Sequence, residues 1–139
     1  MPDVATSEYR TSKEATLKNF VANVLVHVGV APADAAVVAD VLVLADLRGI
    51  ESHGVARLES YYVSRLRKGL MVPKPTVTTV RETPSSILLD AGNGLGHPTS
   101  KHAMEKVIEK AKANGSAFGA VRNSNHYGIA GYYAMMALE

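Results

Sequence analysis

Ser85-Ser-Ile-Leu-Leu-Asp90 is a short apolar run set between Pro84 and the glycines of Ala91-Gly-Asn-Gly-Leu-Gly-His-Pro98, and it reads as a buried strand. A helix built on Met104, Val107, Ile108 and Ala111 follows and is closed by Asn114-Gly115. Ala117-Phe-Gly-Ala-Val-Arg122 then reads as a second short buried strand. Strand, helix, strand in that order predicts a βαβ unit, with the two strands parallel and the crossover right-handed. Just upstream, Thr76 to Glu82 is rich in β-branched residues and reads as a further strand. It is preceded by Met71-Val-Pro-Lys-Pro75, an extended connector in which each proline removes a donor and steers its predecessor away from helix.

Before residue 71 the pattern is helical. Thr11 and Glu14 stand at capping-box spacing. Leu17, Phe20, Val21, Val24, Leu25 and Val28 repeat at helical intervals until Gly29. A second helix opens near Pro32, runs through Val37, Val38, Val41, Leu42 and Ala45, and stops at Gly49; a third follows Ser52 and ends at Gly69. The expected architecture is therefore α/β (α+β): a three-helix lobe over residues 1–70, then an α/β segment over 71–139 that starts a mixed sheet. A last helical segment from Ile129 carries no stop signal before Glu139, and two or three strands are few for a self-sufficient sheet. The chain thus reads as ending inside an element, the alternative being a compact domain with a frayed last helix.

Composition narrows the class. The chain has 139 residues, 47% of them hydrophobic and 20% charged, as in ordinary globular proteins that can bury a core. With no cysteine, disulfides, thiolate metal sites and a cysteine nucleophile are excluded. Asp3, Glu8, Arg10, Lys13, Glu14 and Lys18 argue against a signal peptide. The uncharged run Asn19 to Ala33 is too short for the ~20 apolar residues of a membrane span. A cytoplasmic protein without a membrane partner is expected. A net charge of +2 offers no concentrated basic footprint for nucleic acid. Lys101, Lys106, Lys110 and Lys112 read as a solvated helix face, and His97 and His102 are five apart, not the spacing that aligns metal ligands on a helix.

Both informative loops of the βαβ unit fall at the carboxyl ends of its strands, where ligands sit in open α/β sheets. The first, Ala91 to Pro98, spaces its glycines G-x-G-x-G, neither the G-x-G-x-x-G of a dinucleotide fold nor a P-loop. Gly94 and Gly96 are its candidate cofactor contacts, and turn punctuation is an equal reading. The second, Arg122-Asn-Ser-Asn-His-Tyr-Gly128, sets His126 among short polar side chains, Asn125 among them, at a strand-to-helix corner. Such a corner can fix the orientation and tautomer of an imidazole that exchanges a proton with a ketone or alcohol oxygen near neutral pH. A histidine capping the next helix is the alternative.

Ser52-His-Gly-Val-Ala-Arg57 opens the third helix. Val55, Leu58, Tyr62 and Leu66 share one side and form the expected buried face. His53, Arg57 and Tyr61 are spaced four apart on a different stripe. At a helix N-terminus such a stripe has the parts of an anion pocket, with Arg57 able to grip a carboxylate through two parallel hydrogen bonds. A solvated face with a snorkelling arginine is the competing reading.

Three motifs occur in an order that resembles the malate/L-lactate dehydrogenase family, which is unrelated to the Rossmann-type lactate dehydrogenases. They are Asp46-Leu-Arg-Gly-Ile-Glu-Ser-His-Gly-Val-Ala-Arg57, Asp90-Ala-Gly-Asn-Gly-Leu-Gly96, and Asn123-Ser-Asn-His-Tyr-Gly128 with Ala130-Gly131-Tyr132-Tyr133. Ureidoglycolate, sulfolactate, diketogulonate and cyclic-imine reducing enzymes look like members too. The resemblance implies a non-Rossmann fold, a homodimer, and interconversion of a 2-hydroxy acid and a 2-keto acid with NAD or NADP. It implies that His126 matches a proton acceptor of some members, His53 a proton donor of others, Arg57 the holder of the substrate carboxylate, and Ser52 a support for His53. Tyr61 and Asn125 are assigned to the substrate side. Of the two histidines His126 is favoured as the acid, with His53 as an orienting or relay group. Members of the family run to well over twice this length, so a non-catalytic fragment that dimerises or binds its parent enzyme stands as the alternative.

Overall fold

The computed structural model describes residues 11–138; the expectations that rest on residues 1–10 and on Glu139 lie outside it. Helix α1 (Glu14–His27) and helix α2 (Pro32–Leu47) form an antiparallel pair, with the proline of α2 at its first position, where no intrahelical donor is lost. Helix α1 is not opened by a capping box. Lys13 is its N-cap and makes no side-chain bond, because the first helical residue is Glu14 and Thr11 lies too far upstream. Gly29 and Gly49 follow these helices with φ of 96° and 69°, the left-handed turn that ends them.

Helix α2 is the central element. Ala35, Val38, Ala39 and Leu42 enter a core with Val21, Leu25, Leu58, Tyr62 and Leu66. Val41 and Ala45, on another side, pack on Ile129. A helix buried on more than one side needs apolar residues nearly all round, which its sequence supplies.

The segment expected to be one regular helix from Ser52 to Gly69 is instead composite. A 3-10 turn (Glu51–His53) is followed by a bend, a wide π-type stretch (Leu58–Val63) and one α-helical turn, α3 (Ser64–Arg67). Asp46 explains the bend: its Oδ2 accepts the Val55 N–H at 3.0 Å, and its carboxylate fills the space where a side chain on Gly54 would stand. The expected buried side holds for Leu58, Tyr62 and Leu66, while Val55 is only half-buried.

Strands β1 (Thr78–Thr83), β2 (Ser86–Gly94) and β3 (Phe118–Ser124) form one sheet in the order β1-β2-β3. β1 runs antiparallel to β2 and β3 parallel to it, with helix α4 (Gly96–Asn114) as the crossover, so the sheet is mixed and contains the expected βαβ unit. Ile87 and Leu89 of β2 pack under Ala103 and Val107 of α4 and against Val121. Two readings change. The first glycines of the Ala91–Pro98 loop continue β2 as far as Gly94, and α4 begins at Gly96. β3 is no buried strand but an exposed edge, with Phe118 70% exposed. Its outer neighbour position is unfilled among the described residues, so Val121 reaches the core under α4 only partly buried and Phe118 does not reach it.

Asn114-Gly115 closes α4 as expected, with Gly115 left-handed at φ 85°. The lysines of α4 are not all solvated: the ammonium of Lys110 is bonded to Glu82 and to the Thr83 carbonyl, tying the helix to β1. After β3 comes α5 (Ala130–Met135) and a terminal 3-10 turn (Met136–Leu138), shorter than the continuous helix expected from Ile129. Among the described residues no helix is long and apolar enough to cross a membrane.

Candidate functional site

The parallel pairing of β2 and β3 puts both loops at one end of the sheet. They are stitched together by polar contacts. Asp90 Oδ1 accepts the Gly92 N–H at 2.9 Å and the Asn123 amide at 3.0 Å, and its other oxygen accepts from Arg122 Nε at 2.9 Å. These donors hold the Asp90 carboxyl below the ordinary carboxylate range, the Gly92 N–H foremost. Asn93 and Asn123 take left-handed φ of 59° and 50°, a conformation asparagine tolerates. Asn125 Nδ2 donates to the carbonyls of Asn93 and Gly94 and to Asn93 Oδ1. What Asn125 leaves for a ligand is its own amide oxygen.

The glycines offered as cofactor contacts are explained by close packing. A side chain on Gly94 would collide with Pro75; one on Gly96 would collide with the Asn125 carbonyl. The Gly96 N–H donates to the His126 carbonyl at 3.2 Å, and the Gly92 N–H is engaged by Asp90. The loop lets the start of α4 touch the backbone that carries His126.

His126 is pinned through its ring as well. Its Nδ1 accepts the Gly128 N–H at 3.1 Å and lies 2.8 Å from the Tyr62 hydroxyl. Tyr62 comes from the π-type stretch of the helical lobe and is fully buried. Behind it, its hydroxyl is 3.3 Å from Nε2 of His97, also fully buried. Burial pushes the His97 pKa down to about 3, so that ring is neutral under all ordinary conditions. Burial also lowers the pKa of His126, assisted by the charges of His53 and Arg57, and it raises that of Tyr62.

Facing this group is the 51–61 segment. The His53 ring centroid lies 5.4 Å from that of His126, and the Tyr61 ring 5.5 Å from it. Ser52 Oγ is 2.9 Å from His53 Nδ1. Arg57 is half-buried, and its Nε is bonded to the Ser52 carbonyl, which folds the segment back on itself. Arg65 stacks over Tyr61 at 5.0 Å.

The structure therefore brings together His53, Ser52, Arg57, Tyr61 and His126, and leaves Gly94 and Gly96 beneath them as packing. The expected setting for the stripe changes. His53 sits on a 3-10 turn and Arg57 precedes the π-type stretch, so no regular helix N-terminus stands behind them. Two residues were missed as members of the site: Tyr62, taken for the buried face alone, and His97, weighed only as a metal ligand. Among the described residues no group of three or more His, Asp or Glu side chains is placed to hold a metal ion.

Known proteins resemble this chain in sequence and in fold. The profile of the malate/L-lactate dehydrogenase family matches residues 12–139. The malate dehydrogenase of Pyrococcus abyssi is 51% identical over 123 residues, which are 88% of this chain and 34% of that protein. The L-sulfolactate dehydrogenase of Methanocaldococcus jannaschii is 44% identical over 122 residues, 88% of this chain and 35% of that one. The solved malate dehydrogenase of Pyrococcus horikoshii OT3 superposes with a TM-score of 0.89 at 46% identity, over 93% of this chain and 37% of that one. The chain thus spans about a third of the length of the relatives it matches. With the matched region running from the first helix to the end of the chain, and the fold the same, the protein belongs to the malate/L-lactate dehydrogenase family.

Proposed function

We propose that the protein is the substrate-side part of a dehydrogenase that interconverts a 2-hydroxy acid and a 2-keto acid, with NAD or NADP as hydride carrier. The observation that carries this is the meeting of two segments far apart in sequence: Ser52, His53 and Arg57 on one side and His126 on the other, with ring centroids 5.4 Å apart. Relatives named malate and L-sulfolactate dehydrogenases support a small, acidic substrate.

The described residues do not fit a dinucleotide by themselves. The glycine loop is closed by Pro75 and Asn125, and its Gly92 and Gly96 N–H groups are engaged within the protein. What this chain supplies is recognition and proton handling. Arg57 would hold the substrate carboxylate through charge-assisted hydrogen bonds. His126 would face the oxygen that alternates between ketone and hydroxyl, donate a hydrogen bond to it when neutral, and act as its proton donor in the protonated form. His53, oriented by Ser52, would serve as a relay beside it, and Tyr61 and the Asn125 amide oxygen would border the substrate. In this reading residues 1–70 bring the carboxylate clamp and 71–139 the histidine corner.

The test is a titration of the 139-residue chain with oxaloacetate, pyruvate and other 2-keto acids, followed by NMR at the His53 and His126 rings. Both rings are expected to shift, and Arg57→Ala is expected to abolish the shift. Absence of any shift in the folded chain would overturn the reading. Oxidation of NADH or NADPH by the chain alone would overturn the narrower statement that the cofactor site needs more residues than these.

A second reading has its own support. The apolar surface formed by Met104, Val107, Phe118, Val121 and Tyr133 is open along β3, as expected of a fragment that dimerises or binds its parent enzyme. Sedimentation of the chain as a monomer at high concentration, and in the presence of a full-length relative, would remove it.

A further inference from the structure

The hydrogen bonds around His126 decide where its proton sits. A backbone N–H can only donate, so the Gly128 N–H at 3.1 Å from Nδ1 requires a lone pair there. The Tyr62 hydroxyl, 2.8 Å from the same nitrogen, must then donate as well. Its oxygen is left free to accept, and the group behind it is Nε2 of His97 at 3.3 Å. The other nitrogen of His97, Nδ1, is buried with no partner. A bare lone pair is cheaper to bury than an unpaired N–H, so the His97 proton belongs on Nε2, pointing at Tyr62. All donors run one way: His97 Nε2–H to Tyr62 Oη, and Tyr62 Oη–H to His126 Nδ1.

We infer that Tyr62, braced by His97 and acting with the Gly128 N–H, is a positioning residue that holds His126 as the neutral Nε2–H tautomer. The nitrogen turned away from Tyr62 then carries the proton, and a substrate oxygen meets an N–H rather than a lone pair. That the oxygen belongs to a 2-keto acid rests on the proposed function; the tautomer does not. His97 takes no part as a source of protons, since a neutral imidazole in a sealed site has none to give without becoming an anion. Its part is to keep the tyrosine hydroxyl from turning round. Gly128 contributes twice: its φ of 79° aims its N–H back at His126, and a Cβ there would press on His97 at 3.1 Å and on Val41 at 2.5 Å.

The test reads the imidazole nitrogens of the uniformly 15N-labelled chain by two-bond proton correlation, with the His126 signals identified by their loss in His126→Gln. The wild-type ring is expected to show a pyrrole-like Nε2 and a pyridine-like Nδ1 moved upfield by its two donors. Tyr62→Phe should shift Nδ1 downfield, towards an unbonded pyridine-type nitrogen, and leave the proton on Nε2. His97→Gln, whose amide can still donate to Tyr62, should keep the wild-type Nδ1 position, whereas His97→Leu should move it part of the way. A simple packing role would not separate Gln from Leu in this manner. A proton on Nδ1 in the wild type, or an Nδ1 unmoved by Tyr62→Phe, would overturn the inference. If Tyr62→Phe does not fold, the wild-type tautomer and the two His97 variants decide. An intact tautomer in a chain that ignores 2-keto acids would sink the proposed function and leave this inference standing.

Discussion

The seam between the helical lobe and the sheet and the outer side of β3 are built from similar residues and end up as opposites. At the seam Leu95, His97, Tyr62 and Ala91 are almost fully buried, and the polar atoms among them are bonded, His97 Nδ1 excepted. Phe118 of β3 is 70% exposed, and Tyr127, in the loop after the strand, 45%. Hydrophobicity does not distinguish the two. Supply of a packing partner does: α2 and the π-type stretch meet the start of α4, while nothing among the described residues meets β3 from outside. The candidate site lies wholly on the finished side. Its geometry can therefore be probed in this chain, although the chain spans only about a third of its relatives.

The sharpest way to break the contrast is to empty the finished side. Leu42 is fully buried between α1 and the π-type stretch. Leu42→Ala should cost about 3 kcal/mol, from lost transfer energy and a cavity that α2 cannot collapse into. Denaturant unfolding followed by circular dichroism measures it, and a loss under about 1 kcal/mol would mean that the lobe is far looser than described. Gly96→Ala is expected to come next, at about 2 kcal/mol. Its Cβ would meet the Asn125 carbonyl and lie 2.8 Å from that of His126, backbone atoms that cannot step aside alone. The same variant should displace the His126 amide resonance; a neutral Gly96→Ala would show that the glycine is turn punctuation after all.

A pH series sharpens the comparison further, because the seam holds the one buried histidine among the described residues. The folded pKa of His97 is depressed to about 3 from its ordinary value of 6.5. Between those two values the unfolded chain binds one proton more than the folded chain, so stability is full above about pH 6.5 and falls as the pH drops. The slope from this ring approaches about 1.4 kcal/mol per pH unit. The depressed pKa of His126 acts in the same direction. His97→Gln should flatten the unfolding free energy between pH 6.5 and 5, above the range where the carboxylates begin to contribute. An unchanged slope would mean that His97 is protonated in the folded protein or reached by water.

The fold was readable wherever one period dominated. The alternation of apolar runs with the α4 pattern gave the parallel pair, and glycines after α1, α2 and α4 marked real ends, because a left-handed turn needs them there. The third helix misled because its periodicity is genuine over Leu58, Tyr62 and Leu66, yet an acidic residue eleven positions before Arg57 bends the chain at Gly54. Long-range side-chain capping of this kind leaves no local pattern. His53, Arg57 and His126 were legible as polar residues at a loop or helix start. Tyr62 was not: burial and hydrogen bonding to His126 are compatible with the same heptad position. The one available hint for His97 was its place directly after a glycine loop, where a side chain at the start of a helix can turn inward.

The smallest expected effect completes the comparison. Phe118→Lys removes the largest exposed apolar side chain of β3, from a position whose backbone N–H is bonded to Ser85 at 2.9 Å and whose ring contributes little to a core. Stability of the monomer should change by no more than about 0.5 kcal/mol, as for other exposed positions. Charged side chains on an edge strand oppose pairing with another chain. If the open face is where copies meet, the lysine should lower self-association in sedimentation while the denaturation midpoint at low concentration stays put. A loss above about 1 kcal/mol in dilute solution would erase the distinction between the two sides. Phe118 would then be packed against residues that leave it exposed here, and the bare edge would no longer support a docking role.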